Sequence, residues 1–232
     1  PFIAVLILLG CNKVLDKKNL TAVNPDEVWT NPAIATAYLN NIYAALMPGN
    51  AYGTANGTDE GVAYQKQTNA WLTGTATIDS YDQFSPMYPN IRNVNILLDN
   101  IDKATFDNTS KSNIKGQGLF WRAWAYYILV KSYGGVPLIL SAQTSTNLDS
   151  LALPRNTTTE CVTQIIKDLD DAILLLPDSW TQSDFGRIDK AAAMAFKGRV
   201  LLFFASPLFN PGGDQAKWQA AYDACLAAKN FC

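Results

Sequence analysis

The chain has 232 residues, of which 48% are hydrophobic and 16% are charged, and its formal net charge is −2. This length supports a packed core and predicts one domain or two. The small net charge and the lack of a basic run argue against a nucleic-acid partner. Histidine is absent, which removes the commonest general base and the commonest zinc ligand from the functions that the chain could have.

The first ten residues, PFIAVLILLG, are almost entirely apolar, and Cys11 follows them directly. This run is too short to span a bilayer but matches the apolar region of a secretory signal. Leu8 to Cys11 fits the pattern of a lipoprotein signal, in which an apolar and a small residue precede the cysteine that receives diacylglycerol. We therefore predict lipidation at Cys11, with 1–10 as a partial signal segment and 11–24 as a tether. A buried strand that ends at a cysteine is the alternative.

The other three cysteines are Cys161, Cys225 and Cys232, and none lies in a CxxC or metal-type spacing. A zinc or redox site is therefore not expected, and we predict no cofactor. Cys161 and Cys225 are interpreted as small buried apolar residues on helices, with a disulfide as the alternative.

Apolar periodicity and terminal residues predict a helical chain. A helical turn opens at Pro25, and helices are predicted over 32–47, 85–103, 113–133, 158–176, 189–206 and 214–229. No alternating strand pattern of useful length occurs, and Val136–Leu140 is predicted as a strand or an extended buried segment. The expected fold class is all-α, built from helical hairpins with long irregular loops over 25–232.

The 113–133 helix is apolar on all sides, so it is predicted to lie buried between other helices. Arg122 is its one charged residue between Leu119 and Val130, and we expect it to pair with a carboxylate. The helix also carries an aromatic ridge of Phe120, Trp124 and Tyr127. We expect this ridge to pack into a stripe of mostly small residues on the 189–206 helix: Ala191, Ala195, Gly198 and Leu202.

Two further arginines, Arg155 and Arg187, follow a proline and a glycine at junctions between loops and helices. We predict that they brace carbonyls or carboxylates and do not bind a ligand.

The long connection over 48–84 is rich in Gly, Asn, Thr and aromatic residues, and a loop of this length is commonly functional. A sugar needs an aromatic face for the apolar side of its ring and polar groups for its hydroxyls. We predict that Trp71 stacks on a sugar, that Asp59 and Lys66 bind hydroxyls, and that Tyr81 contributes to the same site. The alternative for Trp71 and Tyr81 is a place in the core beneath the loop.

Several segments in order resemble the SusD/RagB family of nutrient-binding lipoproteins. The matching segments are Leu15-Asp16 after the cysteine, NIYAAL at 41–46, YPNIRNVN at 88–95, KGQGLFWRAWAYY at 115–127, YGGVPL at 133–138, Pro154-Arg155 with IIKDL at 165–169, and GRIDKAAA at 186–193. The match extends from Cys11 to nearly the end of the chain. Because family members are considerably longer, the resemblance implies an N-terminal portion without the C-terminal part.

The resemblance implies a scaffold of tetratricopeptide-like hairpins in a lipid-anchored protein of the outer membrane, exposed at the cell surface. Its implied partners are an oligosaccharide and a SusC-like TonB-dependent transporter, to which the oligosaccharide is delivered. It also implies that the loop over 48–84 contributes to the glycan site. The Lys13, Lys17 and Lys18 side chains depart from the acidic residues that often follow the lipidated cysteine in surface-exposed members.

Catalysis is the first rival function, and we predict that the chain is not an enzyme. A glycosidase needs two carboxylates at a defined separation, whereas Asp168, Asp170 and Asp171 are expected on a solvated helix face. A helical adaptor that binds proteins, or a peptide-binding lipoprotein without a glycan site, remains the alternative to glycan capture.

Overall fold

The structure is a computed structural model that describes residues 25–48, 73–77, 80, 82–144 and 151–232. Its helices are α1 (Pro25–Val28), α2 (Pro32–Leu46), α3 (Phe84–Ile101), α4 (Asn108–Tyr133), α5 (Thr158–Leu175), α6 (Lys190–Ala205) and α7 (Gln215–Phe231), with a 3₁₀ turn at Gln182–Asp184. The all-α prediction is confirmed, and the described residues contain no strand. None of the helices in these ranges is both long and apolar enough to cross a bilayer.

Side-chain caps determine where the helices begin. Asp107 accepts from the backbone N–H of Ser110 at 2.8 Å, which starts α4 five residues before the predicted position, 113. Thr157 and Glu160 form a reciprocal capping box at the start of α5. Each cap satisfies amide groups that have no partner within the helix, and loss of such a cap typically costs about 1 kcal/mol.

Helix α4 is the centre of the core, as predicted. It contacts α2, α3 and α5, while α6 lies between α5 and α7 in the manner of tetratricopeptide-like hairpins. Its completely buried side chains include Tyr126, Leu129 and Val130. The helix is apolar all round because its neighbours cover it on several sides.

Arg122 is buried in this core and makes four hydrogen bonds. Its Nε and Nη2 each donate to a carboxylate oxygen of Asp168 at 2.7 Å, and its Nη1 donates to Asn95 Oδ1 and Leu140 O at 3.1 Å. The predicted pairing with a carboxylate is therefore confirmed. The expectation that Asp168 lies on a solvated face is wrong, since it is only 1% exposed. It shares the buried face of α5 with Ile165, Leu169 and Ala172.

The aromatic ridge of α4 does contact α6, but through a different face from the one predicted. Phe196 lies 5.3 Å from the ring centre of Phe120 and 5.1 Å from that of Trp124. Gly198, one residue of the predicted small-residue stripe, faces α7 instead, because a Cβ placed on it would lie 2.8 Å from Cys225 Sγ. Ala195 and Leu202 of the same stripe are exposed, so the close approach of α7 is at Gly198.

The described cysteines are all unpaired thiols. Cys161 is buried, as predicted, and its thiol donates to Val136 O at 3.4 Å. Burial raises the pKa of this thiol. Cys225 is exposed, so its prediction as a buried residue is wrong. It lies at the α6–α7 contact, where its sulfur packs against Gly198 although the residue as a whole is exposed.

We predict that Arg122→Met will destabilise the fold by about 3–5 kcal/mol, because Asp168 is left buried without a counter-charge. The double variant Arg122→Met/Asp168→Leu should recover much of this loss. Urea unfolding followed by circular dichroism measures both. Lys167→Met is the matched control, since it breaks an exposed ion pair with Asp171 and should cost at most about 1 kcal/mol.

We further predict that Gly198→Val will lower the free energy of unfolding by about 1–3 kcal/mol, because α7 must move away from α6. The control is Ala195→Val on the exposed side of the same helix, which carries a β-branched side chain without the contact. Equal unfolding midpoints for the two variants would contradict the close approach at Gly198.

Candidate ligand-binding site

The predicted glycan contacts Asp59, Lys66, Trp71 and Tyr81 lie outside the described residues, as does the predicted lipidation site Cys11. The structure describes the helices on either side of the long connection. Helix α2 ends at Leu46 before it, and Asp82 and Gln83 lead into α3 after it.

Tyr133, at the end of α4, holds the segment that leads into α3. The backbone N–H of Gln83 donates to the Tyr133 hydroxyl at 2.8 Å, and this hydroxyl donates to Asp82 Oδ1 at 3.3 Å. The same oxygen accepts from the N–H of Phe84 at 2.7 Å and that of Ser85 at 3.3 Å. The end of the predicted ligand loop is thus hydrogen-bonded to the end of α4.

Hydrogen bonds from the Ser85 hydroxyl and then the Phe84 amide hold the pKa of Asp82 below its ordinary value. A carboxylate with a lowered pKa in the folded state contributes its stabilisation at neutral pH and loses it as the pH falls through that value. The anchor at Asp82 is therefore fully charged at neutral pH.

The second irregular segment, which follows α4, is held at the same end of that helix. The Arg155 guanidinium donates to the carbonyls of Tyr133 and Gly135, the latter at 2.7 Å. A Cβ on Gly135 would lie 2.0 Å from Asn156 O, so only glycine permits this close approach. The prediction that Arg155 braces carbonyls is confirmed. Arg187 likewise donates to Asp184 Oδ1 at 2.6 Å, as expected.

The stretch Val136–Leu140 forms neither helix nor strand, and side chains satisfy several of its peptide groups. The Tyr126 hydroxyl accepts from Ile139 N at 2.6 Å and donates to Ile139 O at 2.9 Å, and Asn95 donates to the same carbonyl at 2.8 Å. The Tyr88 hydroxyl donates to Pro137 O at 2.8 Å. Burial raises the pKa of Tyr88 to about 12 and also raises that of Tyr126, so both remain donors at neutral pH.

An aromatic surface lies beside these anchors. Phe84 is 45% exposed, and its ring centre is 4.5 Å from that of Tyr88 and 6.0 Å from that of Tyr133. The sequence reasoning did not identify Phe84 or Tyr133 as part of the site. Their contact joins residues about fifty positions apart, and a motif read along the chain carries no signal of it. The described residues include no cluster of three or more acidic or cysteine side chains placed to hold a metal ion.

The protein has the architecture of a tetratricopeptide-like scaffold domain, in which irregular segments are held at the end of a buried central helix. A family model for SusD-like proteins, described as starch-binding and associating with the outer membrane, matches residues 13–202. The chain therefore belongs to the SusD-like family.

Individual relatives agree with this assignment. The SusD-like protein P38 of Formosa agariphila is 24% identical over 87% of this chain and 41% of its own length. A crystal structure of a SusD-like protein from Bacteroides fragilis superposes with a TM-score of 0.73 at 24% identity, over 89% of this chain and 39% of that one. A laminarin-binding SusD-like protein superposes with a TM-score of 0.65 at 23% identity, over 84% and 43%. The chain thus spans about two fifths of the length of these relatives.

We predict that Tyr133→Phe will loosen the attachment of α3 without unfolding the scaffold. It removes the hydroxyl that joins Gln83 N to Asp82, a change worth about 0.5–1.5 kcal/mol. Hydrogen exchange at the amides of Gln83 and Phe84 should become about tenfold faster, while exchange in the centre of α4 stays unchanged. Tyr222→Phe, at an exposed position on α7, is the matched control. Unchanged exchange at Gln83 would show that the hydroxyl does not anchor this segment.

Proposed function

We propose that the chain is part of an outer-membrane lipoprotein that binds glycans and delivers them to a SusC-like TonB-dependent transporter. The observation that carries this proposal is the family match over residues 13–202, which includes most of the described helices. A laminarin-binding protein among the structural neighbours supports a glycan as the ligand class.

We assign the glycan contacts to the segment between α2 and α3. Trp71 would supply the aromatic platform, Asp59 and Lys66 would bind hydroxyls, and Tyr81 would complete the site. The attachment of Asp82 and Gln83 to Tyr133 supports this assignment, because it presents the end of the segment on a rigid helix. A loop that is pre-positioned in this way loses less conformational freedom on binding.

The proposed activity is binding without hydrolysis. Glycosidases use two carboxylates about 5–10 Å apart on either side of the scissile bond. Among the described acidic residues, Asp168 pairs with Arg122, Asp170 with Lys197, and Asp178, in the connection before α6, with Lys190. The buried pair between Asp168 and Arg122 has a structural role.

The proposed membrane attachment is a lipid on Cys11, which follows the apolar residues 1–10. Several acyl chains on one cysteine would anchor the protein stably, since each buried methylene contributes roughly 0.8 kcal/mol. The tether over 11–24 would then separate the helical domain from the bilayer and leave it free to contact a transporter.

The test is a binding screen with the protein at its natural length, secreted without lipid by replacement of Cys11. Amylopectin, laminarin and other soluble polysaccharides serve as probes in affinity electrophoresis, and oligosaccharides of the retained class serve in calorimetry. We expect one glycan class to bind and Trp71→Ala to weaken it about tenfold or more, since stacking adds about 0.5–1.5 kcal/mol beyond the buried area.

Trp218→Ala is the matched control, because Trp218 is a partly exposed tryptophan on α7, outside the proposed loop. Full binding by Trp71→Ala would contradict the residue assignment but not the glycan function. Failure of every glycan to bind would contradict the glycan function itself.

A further inference from the structure

A second concave surface lies away from the segment between α2 and α3. It is a pocket of about 200 Å³ between α2, the first turns of α4 and the connection that precedes α6. We call it the α2–α4 pocket. Its polar lining comes from three separate elements: Thr36, Ser110, Asn113, Trp180, Asp184 and Arg187.

A chain of hydrogen bonds fixes the walls of the α2–α4 pocket. Gln117 is 2% exposed and accepts from the Tyr43 hydroxyl at 2.6 Å. That hydroxyl accepts from Ile188 N at 3.0 Å, and Ile188 O accepts from Trp180 Nε1 at 2.9 Å. The connection before α6 is thereby tied to both α2 and α4, so the pocket is formed before any ligand arrives.

The groups that line this pocket suit a neutral polyhydroxylated ligand. Within the described ranges, the Thr36 hydroxyl and the Asn113 amide make no hydrogen bond of their own, so both are available to a ligand. Asp184 and Arg187 neutralise each other at 2.6 Å and leave further carboxylate and guanidinium atoms for hydroxyl groups. In this proposal Arg187 would contact a ligand as well as brace Asp184, which departs from the expectation drawn from the sequence. The half-buried indole of Trp180 supplies apolar surface for the carbon face of a ring, while Leu39 and Ile114, 0% and 4% exposed, form the floor beneath it.

The contrast with another groove shows that this composition is not general to the scaffold. A groove of about 430 Å³ between α5, α6 and α7 is lined largely by carbon, including Ile166, Leu201, Phe204 and Phe209. Its polar side chains are Thr158, Thr159, Thr163 and Lys217, of which Thr163 and Lys217 already donate to the carbonyls of Thr159 and Phe209. The α2–α4 pocket combines amide, hydroxyl, charged and indole groups in less than half of that volume.

We propose that the α2–α4 pocket is a second saccharide-binding site, which takes one sugar unit and acts independently of residues 49–81. The choice of a saccharide over another polyol rests on the proposed glycan function. Within the part of the chain that the structure describes, the residues that line the pocket belong to α2, α4 and the connection before α6. A second site of this kind would hold a glycan chain at two points and raise its apparent affinity through effective concentration.

The test is a titration of the ¹⁵N-labelled protein with maltose, laminaribiose and glycerol, followed by NMR. We expect at least one disaccharide, but not glycerol, to shift the Trp180 indole N–H and the Asn113 side-chain amide, with saturation in the millimolar range. The double variant Thr36→Val/Asn113→Leu keeps the size of both side chains but removes their hydrogen-bonding groups. It should raise the dissociation constant about tenfold or more. Asn230→Leu, on exposed α7, is the matched control and should change nothing.

The outcomes separate this site from the loop site. Saturable shifts that persist in Trp71→Ala and are lost in Thr36→Val/Asn113→Leu support the second site, whatever the polysaccharide screen finds. Absence of shifts in the unaltered protein, equal shifts with glycerol, or shifts that survive the double substitution would each overturn it. Polysaccharide capture that depends on Trp71 alone would then leave the loop site as the single proposed glycan site.

Discussion

The buried guanidinium of Arg122 is the constraint on which the rest of the scaffold depends. A charge in the middle of an apolar helix is tolerated only when its donors are satisfied, and here the partners come from three places. Asp168 supplies them from α5, Asn95 from α3, and Leu140 O from the irregular segment after α4. One side chain therefore determines how two helices and a non-helical strap are arranged around the central helix.

The same helix orders the irregular segments at its C-terminal end. Tyr133 receives the chain that enters α3, and Arg155 binds the carbonyls that follow α4. The positive φ of Gly134 and the close approach at Gly135 allow the chain to turn there. Loops that carry function are usually mobile, but their attachment to rigid elements limits that freedom. In the proposed function, the scaffold would support binding by fixing where the long connection ends, at Asp82 and Gln83.

Two polar regions and one apolar groove thus differ in chemistry on a single helical frame. The Tyr133 anchor and the α2–α4 pocket present hydroxyl, amide and charged groups, whereas the groove between α5 and α7 is carbon-lined. Under the proposed glycan function, both polar regions would have the same role, as surfaces for glycans. Repeated weak sugar contacts on one rigid body are an effective way to hold a long polymer, because each contact raises the local concentration for the next.

The sequence by itself determined the helical content, the burial of α4 and the helix ends to within two residues, apart from the start of α4, because periodicity, caps and helix breakers are local signals. The sequence also indicated that Arg122 is paired with a carboxylate, because a charge in an apolar helix needs a partner. It indicated as well that Arg155, at a junction between a loop and a helix, braces carbonyls. Tertiary structure alone decided that Asp168 is the buried partner, that Gly198 faces α7, and that the Tyr133 hydroxyl holds Gln83. These contacts join residues that are far apart in the sequence. The periodicity of the sequence indicates which face of a helix a residue occupies, but not which element packs against that face.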